Sequence, residues 1–280
     1  MGPRTGLDGR TPFWTAAVRV FDLSLGEMLW SRRTILLLLL VGAPVVLAIA
    51  IRLLQAFGLP GMQVQGVRVA GPDLFGVIIW VLFIRFVVPV LGVFYGTALI
   101  ADEVDDRTIT YLFTRPIPRG AVLVGKYLAY LACTALITLP AVAVVYFVIV
   151  PPGGSIAATF PKLVVDLGLI AAGLAVYGSL FAFIGAWLNR PLIVGLVFAF
   201  GWEPIVMAVP GYLRHLTIAY YLQALVPQAM PQDSTVSLLQ SLFRDLPTPA
   251  TSLVSLAVIG VGFLILAARV VSSREYVLEP

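Results

Sequence analysis

Residues 101–131 read ADEVDDRTITYLFTRPIPRGAVLVGKYLAYL. Four carboxylates (Asp102, Glu103, Asp105, Asp106), three arginines (Arg107, Arg115, Arg119) and two prolines (Pro116, Pro118) are crowded together. Long apolar runs flank them, Leu74–Ile100 before and Ala121–Val150 after. Each run exceeds the roughly 20 apolar residues that carry a helix across a bilayer. Water-seeking charges between two such runs make a loop at a membrane surface, with the chain crossing on either side of it.

The rest of the chain repeats this pattern. Of 280 residues, 60% are hydrophobic and 11% charged. A soluble domain carries about 25% charged residues. So apolar a chain cannot cover a globule with polar surface, and its solvent is lipid. We expect an all-α, polytopic integral membrane protein with six transmembrane helices: Thr34–Leu54, Leu74–Ile100, Ala121–Val150, Leu163–Leu188, Pro191–Val209 and Ala250–Val271. The expected organisation is a cytoplasmic tail and amphipathic helix over 1–33, a transmembrane domain over 34–271, and a tail over 272–280. Within the domain lie a cytoplasmic loop, 101–120, and an outer loop, 210–249.

Loop basic residues set orientation. With the N-terminus inside, one face holds Arg4, Arg10, Arg19, Arg32, Arg33, Arg107, Arg115, Arg119, Lys126, Arg190, Arg269 and Arg274. The other holds Arg52, Arg68, Lys162, Arg214 and Arg244. This bias places both termini and residues 101–120 in the cytoplasm. The net charge of +4 thus belongs to membrane loops, and no nucleic-acid partner is implied.

Before the first span, Trp14, Ala17, Val18, Phe21, Leu25, Met28 and Leu29 recur at helical spacing. Such a helix lies in the inner interface with Arg32 and Arg33 at the headgroups, or packs on the protein's own cytoplasmic face. No cleavable signal is expected, because polar interruptions precede the first long apolar run. In the outer loop, Leu213, Leu216, Tyr220 and Leu225 suggest a short amphipathic helix. It would lie at the outer surface, dip into the membrane, or cap the bundle.

Gly120–Lys126 reads G-x-x-x-x-G-K, the spacing of a phosphate-binding loop, but the chemistry fails. Tyr127 stands where a magnesium-binding Ser or Thr is needed, and Ala-Val-Leu-Val fills the middle. Lys126 fits better as a side chain snorkelling from the start of a span. With one cysteine (Cys133) and one histidine (His215), neither a metal site nor a catalytic constellation is expected. The chain itself needs no cofactor.

Thr108–Thr114 can make a short helix with Ile109, Leu112 and Phe113 on one face. Arg115 and Ile117 each precede a proline and are biased out of the helical region. The product is a rigid apolar stub ringed by charge, suited to a partner's groove. This stretch resembles the first cytoplasmic loop of type-2 ABC exporter permeases. The likeness rests on Asp102 or Glu103, Arg107, Thr108, Ile109, Leu112, Thr114, Pro116, Ile117, Arg119, Gly125 and Lys126. Arg107 departs from the pattern, where glycine is frequent. The resemblance implies that Asp102, Glu103, Asp105, Asp106, Arg107, Thr108, Ile109, Leu112, Phe113, Arg115, Pro116 and Arg119 form a coupling site for a separate ATP-binding cassette ATPase subunit. That subunit would carry ATP and magnesium. The resemblance also implies a second permease copy or relative, a place in the inner (cytoplasmic) membrane, and export. An ion-coupled secondary transporter is the alternative.

Arg85 and Glu203 lie at similar depths inside spans two and five. Intramembrane charge is costly and finds a partner or a water-filled cavity. We expect the two to pair, within one subunit or across a dimer, as a bundle lock or as part of the transport path. Lys162 and Asp166, one turn apart, are expected to form an ion pair at the outer end of span four.

Overall fold

Inside a bilayer no water meets the backbone, so a chain crosses as helix. The computed structural model describes residues 12–57, 63–64, 67–68, 71–105, 119–151, 156–209, 212–226 and 247–273. Helix α1 (Phe13–Leu29) precedes α2 (Arg32–Ala56). Helix α3 runs through Pro72–Val77, Ile78–Val87, Val88–Leu91, Gly92–Gly96 and Ala98–Asp105. Then come α4 (Arg119–Ile149) and α5 (Ile156–Trp187). Helix α6 joins Pro191–Val197, Phe198–Trp202 and Glu203–Ala208. A 3-10 turn (Tyr212–Leu216) leads into α7 (Ile218–Leu225), and α8 (Pro249–Ser273) follows. Between α2 and α3 sits a small antiparallel ribbon not expected from the sequence, Gln63–Val64 with Val67–Arg68.

Five of these helices are long and apolar enough to cross a membrane among the described residues, and Pro191–Met207 is a shorter apolar helix. The molecule is an all-α, polytopic membrane protein. α3 and α5 are its most buried long helices, while α2 and α8 turn most of their surface outward. Exposed leucines, isoleucines and valines such as Ile35, Leu36 and Leu39 on α2, and Val254, Val258 and Val261 on α8, make the lipid-facing skin. α4 and α5 have 31 and 32 residues. At 1.5 Å per residue both exceed the roughly 30 Å hydrocarbon layer. α5 begins seven residues before the expected Leu163, because its first turn is tied to α4. Tyr146 Oη of α4 donates to Ile156 O (3.1 Å) and shares a hydrogen bond with Thr159 Oγ1 (2.8 Å).

Two segments wind as π-helix just before a proline: Ile78–Val87 before Pro89, and Phe198–Trp202 before Pro204. Proline lacks the N–H for the i−4 bond and its ring crowds that carbonyl, so the preceding turn widens. A third π stretch, Gly92–Gly96, has a different cause. A Cβ at Gly92 would lie 2.9 Å from the Phe181 ring, and one at Gly96 would lie 2.9 Å from Phe181 Cβ. Only glycine lets α3 come this close to α5, as small residues do between membrane helices.

Candidate functional site

The two flanks of the charged loop come from α3 and α4. Asp102, Glu103 and Asp105 lie on the closing turns of α3, and Arg119 opens α4. Asp106, Arg107, Thr108, Ile109, Leu112, Phe113, Arg115 and Pro116 fall outside the described residues, as does the expected stub Thr108–Thr114. Gly120–Lys126 is helical throughout, without the loop that would cradle a phosphate. Tyr127, in the place of the metal-binding hydroxyl, donates to Ala175 O of α5 (2.7 Å). Tyr130 donates to Leu174 O (3.0 Å). The GKYLAYL stretch thus fastens α4 to α5, immediately after the loop.

α1 packs beside the same end of α4. A Cβ at Gly125 would lie 2.6 Å from Ala17 O and 2.9 Å from Val20 Cβ, and Phe13 lies near Gly120. Ala16, Ala17 and Ala121 form a small buried cluster. The two helices therefore advance in the same direction from the loop side. The single apolar stripe expected for α1 divides in two. Ala17 and Ser24 are buried, while Trp14 and Val18 point outward with Leu23. The small side chains face the protein because only they permit this close packing.

Glu203 begins the last segment of α6 and is 4% exposed. Its carboxylate accepts from Tyr177 Oη of α5 (2.5 Å), Ile218 N (3.1 Å) and Ala219 N (3.3 Å). The last two are the opening N–H groups of α7, which no carbonyl within that helix can satisfy. Thr217 stands at the N-cap, but its hydroxyl donates to Arg214 O (2.8 Å). Glu203 supplies the cap from another helix, and its negative charge suits a helix N-terminus. Arg85 is exposed, with its guanidinium carbon 5.9 Å from the centre of the Trp80 ring. Among the described residues no direct ion pair joins Arg85 to Glu203, but the guanidinium lies near enough to act electrostatically on the Glu203 carboxylate.

The expected outer-surface helix changes character too. In α7, Ile218, Ala219, Tyr220, Tyr221 and Leu222 are all buried, and Leu222 reaches Gly173 of α5. Leu213 and Leu216, placed on one face with Tyr220 by spacing, are instead exposed. The chain breaks its helix at Thr217, so the two halves do not share one periodicity. Asp166 is fully buried in α5, whereas Lys162 is exposed. Sequence reasoning passed over Tyr177, Tyr127 and Tyr130. Spacing does not distinguish them from other apolar residues of the spans, and only burial shows that each hydroxyl needs an acceptor.

Residues 21–275 match a family model described as ABC-2 family transporter protein. Among curated proteins nothing matches. The match covers most of the chain, including every membrane helix described above. On that ground, this multi-pass membrane protein belongs to the ABC-2 transporter family.

Proposed function

We propose that the chain is the permease subunit of an ATP-binding cassette exporter, working as one of a pair and driven by a separate ATPase subunit that holds ATP and magnesium. The observation that carries the reading is the family match over residues 21–275. The geometry of the loop flanks supports it. The acidic end of α3, the start of α4 and the packed α1 form one side of the molecule, where a coupling segment over Asp102–Arg119 would meet the ATPase. The arginine bias puts that side, and both termini, in the cytoplasm. The inner membrane is the corresponding site of residence, and α1, with Trp14 and Val18 outward, rests against the lipid interface.

The test is co-expression with the ATPase encoded beside this chain. Wild type should retain the ATPase through purification. The triple variant I109S, L112S and F113S should insert normally and lose it. A wild-type chain that purifies alone, under conditions that preserve known complexes, would overturn the reading in favour of ion-coupled transport.

A further inference from the structure

Proline interrupts α3 and α6 at points that lie side by side. Pro89 and Pro204 carry no N–H, so neither the Arg85 nor the Phe200 carbonyl receives the ordinary bond from four residues on. Both helices wind as π-helix there, over Ile78–Val87 and Phe198–Trp202. The ring of Phe86, the residue after Arg85, packs on Phe200 at 5.9 Å between centres. Proline sites of this kind are where a helix bends. Each of the two stands beside a charge, Arg85 on α3 and Glu203 on α6.

The Glu203 carboxylate has two sets of suitors. Its Oε1 accepts from Ile218 N and Ala219 N at the start of α7, and its Oε2 accepts from Tyr177 Oη. Arg85 is in electrostatic range of Glu203 and Tyr177, while its guanidinium carbon rests 5.9 Å from the centre of the Trp80 ring. A two-pronged guanidinium pair needs a free lone pair on each carboxylate oxygen. Oε1 offers none while two N–H groups of α7 occupy it. Arg85 and α7 therefore exclude each other as full partners of Glu203. Without the carboxylate, the first turn of α7 has two stranded N–H groups and is driven out of the bundle. α7 lies at the end of the bundle away from the charged loop. α3 and α5 run in one direction, with Gly92 against Tyr177 and Gly96 against Phe181, so α6 starts on the loop side and climbs away from it.

We propose that Glu203 is a transferable cap. Bending of α3 and α6 at their prolines carries its carboxylate from α7 to Arg85 and unlatches α7 as a lid on that end of the bundle. The latch stands on these contacts, and its service in transport rests on the permease reading above.

Amide hydrogen exchange tests the latch in the full chain, held in phosphatidylcholine nanodiscs without nucleotide and resolved at Ile218 and Ala219. R85Q removes the competitor, and these two amides should exchange about tenfold more slowly than in wild type. General loss of stability would act in the opposite direction. W80F frees the guanidinium to reach Glu203 and should speed exchange at the same amides about fivefold, with Leu169 and Ile170 of α5 unchanged. Exchange of α7 in a folded R85Q at the wild-type rate or faster overturns the proposal. So does, whether or not R85Q folds, an unchanged α7 in W80F or a rise that α5 shares equally. The ATPase takes no part in this measurement. Failure of the latch in a chain that retains its ATPase leaves the permease reading standing, and a latch in a chain that retains none does the reverse.

Discussion

Glu203 satisfies backbone N–H groups that water would satisfy at a surface helix. Removing it strands two N–H groups and the Tyr177 hydroxyl. An unsatisfied buried polar group costs about 1–3 kcal/mol. We expect Glu203→Ala to destabilise by roughly 3 kcal/mol, with the loss read from denaturant or thermal unfolding in detergent. Glu203→Gln keeps an acceptor for α7 and should lose less. Tyr177→Phe should cost about 1 kcal/mol. Because Tyr177 and Glu203 share one bond, the double variant Y177F/E203Q should lose less than the sum of the singles. Additive losses would show that the bond contributes nothing. The sequence reveals an acidic residue in an apolar run and hence a group that needs partners. It does not reveal which partners, because α7 follows in the chain by way of a break that periodicity hides.

At the scale of the helices, glycine and proline decide how closely α3 and α6 approach their neighbours. Gly96 sits where even a methyl group meets Phe181 Cβ at 2.9 Å. Gly96→Ala should therefore destabilise by about 1–3 kcal/mol, the cost of overpacking. Gly42 in α2 has nothing within 4 Å of an added Cβ. Gly42→Ala should be neutral or stabilise by up to roughly 1 kcal/mol, because the helix loses only chain freedom of the unfolded state. Equal effects at the two positions, measured by unfolding midpoint, would remove the close-packing account of α3 against α5. The glycine spacing is visible in the sequence. Its partner helix is not, since nothing in α3 says that Phe181 lies opposite.

For the whole molecule, orientation is the quantity to measure. We expect a cysteine at Glu27 in α1 to react with a membrane-impermeant maleimide only after cells are opened, and one at Thr248 to react in intact cells. Both positions are exposed, and Cys133 is buried. Labelling of both in intact cells, or of neither, would overturn the assignment of inside and outside. The lipid-facing character of α2 and α8 follows from the same arrangement. They are peripheral because α3 and α5 fill the centre with Phe83, Tyr177, Phe181 and their neighbours.

By itself the sequence determined the class of the protein and the positions of most membrane-helix ends to within a few residues, the start of α5 at Ile156 being the exception. These follow from local physics: runs of about 20 apolar residues must cross lipid as helix, and clustered charge must leave it. Only the tertiary structure decided the partners of the isolated polar groups. It placed Glu203 at the N-terminus of α7, the tyrosines of GKYLAYL on α5 carbonyls, and α1 along α4. Those contacts join residues far apart in the chain, and their energies depend on burial and approach that no spacing encodes. It also set the Arg85 guanidinium over the Trp80 ring, in electrostatic range of Glu203.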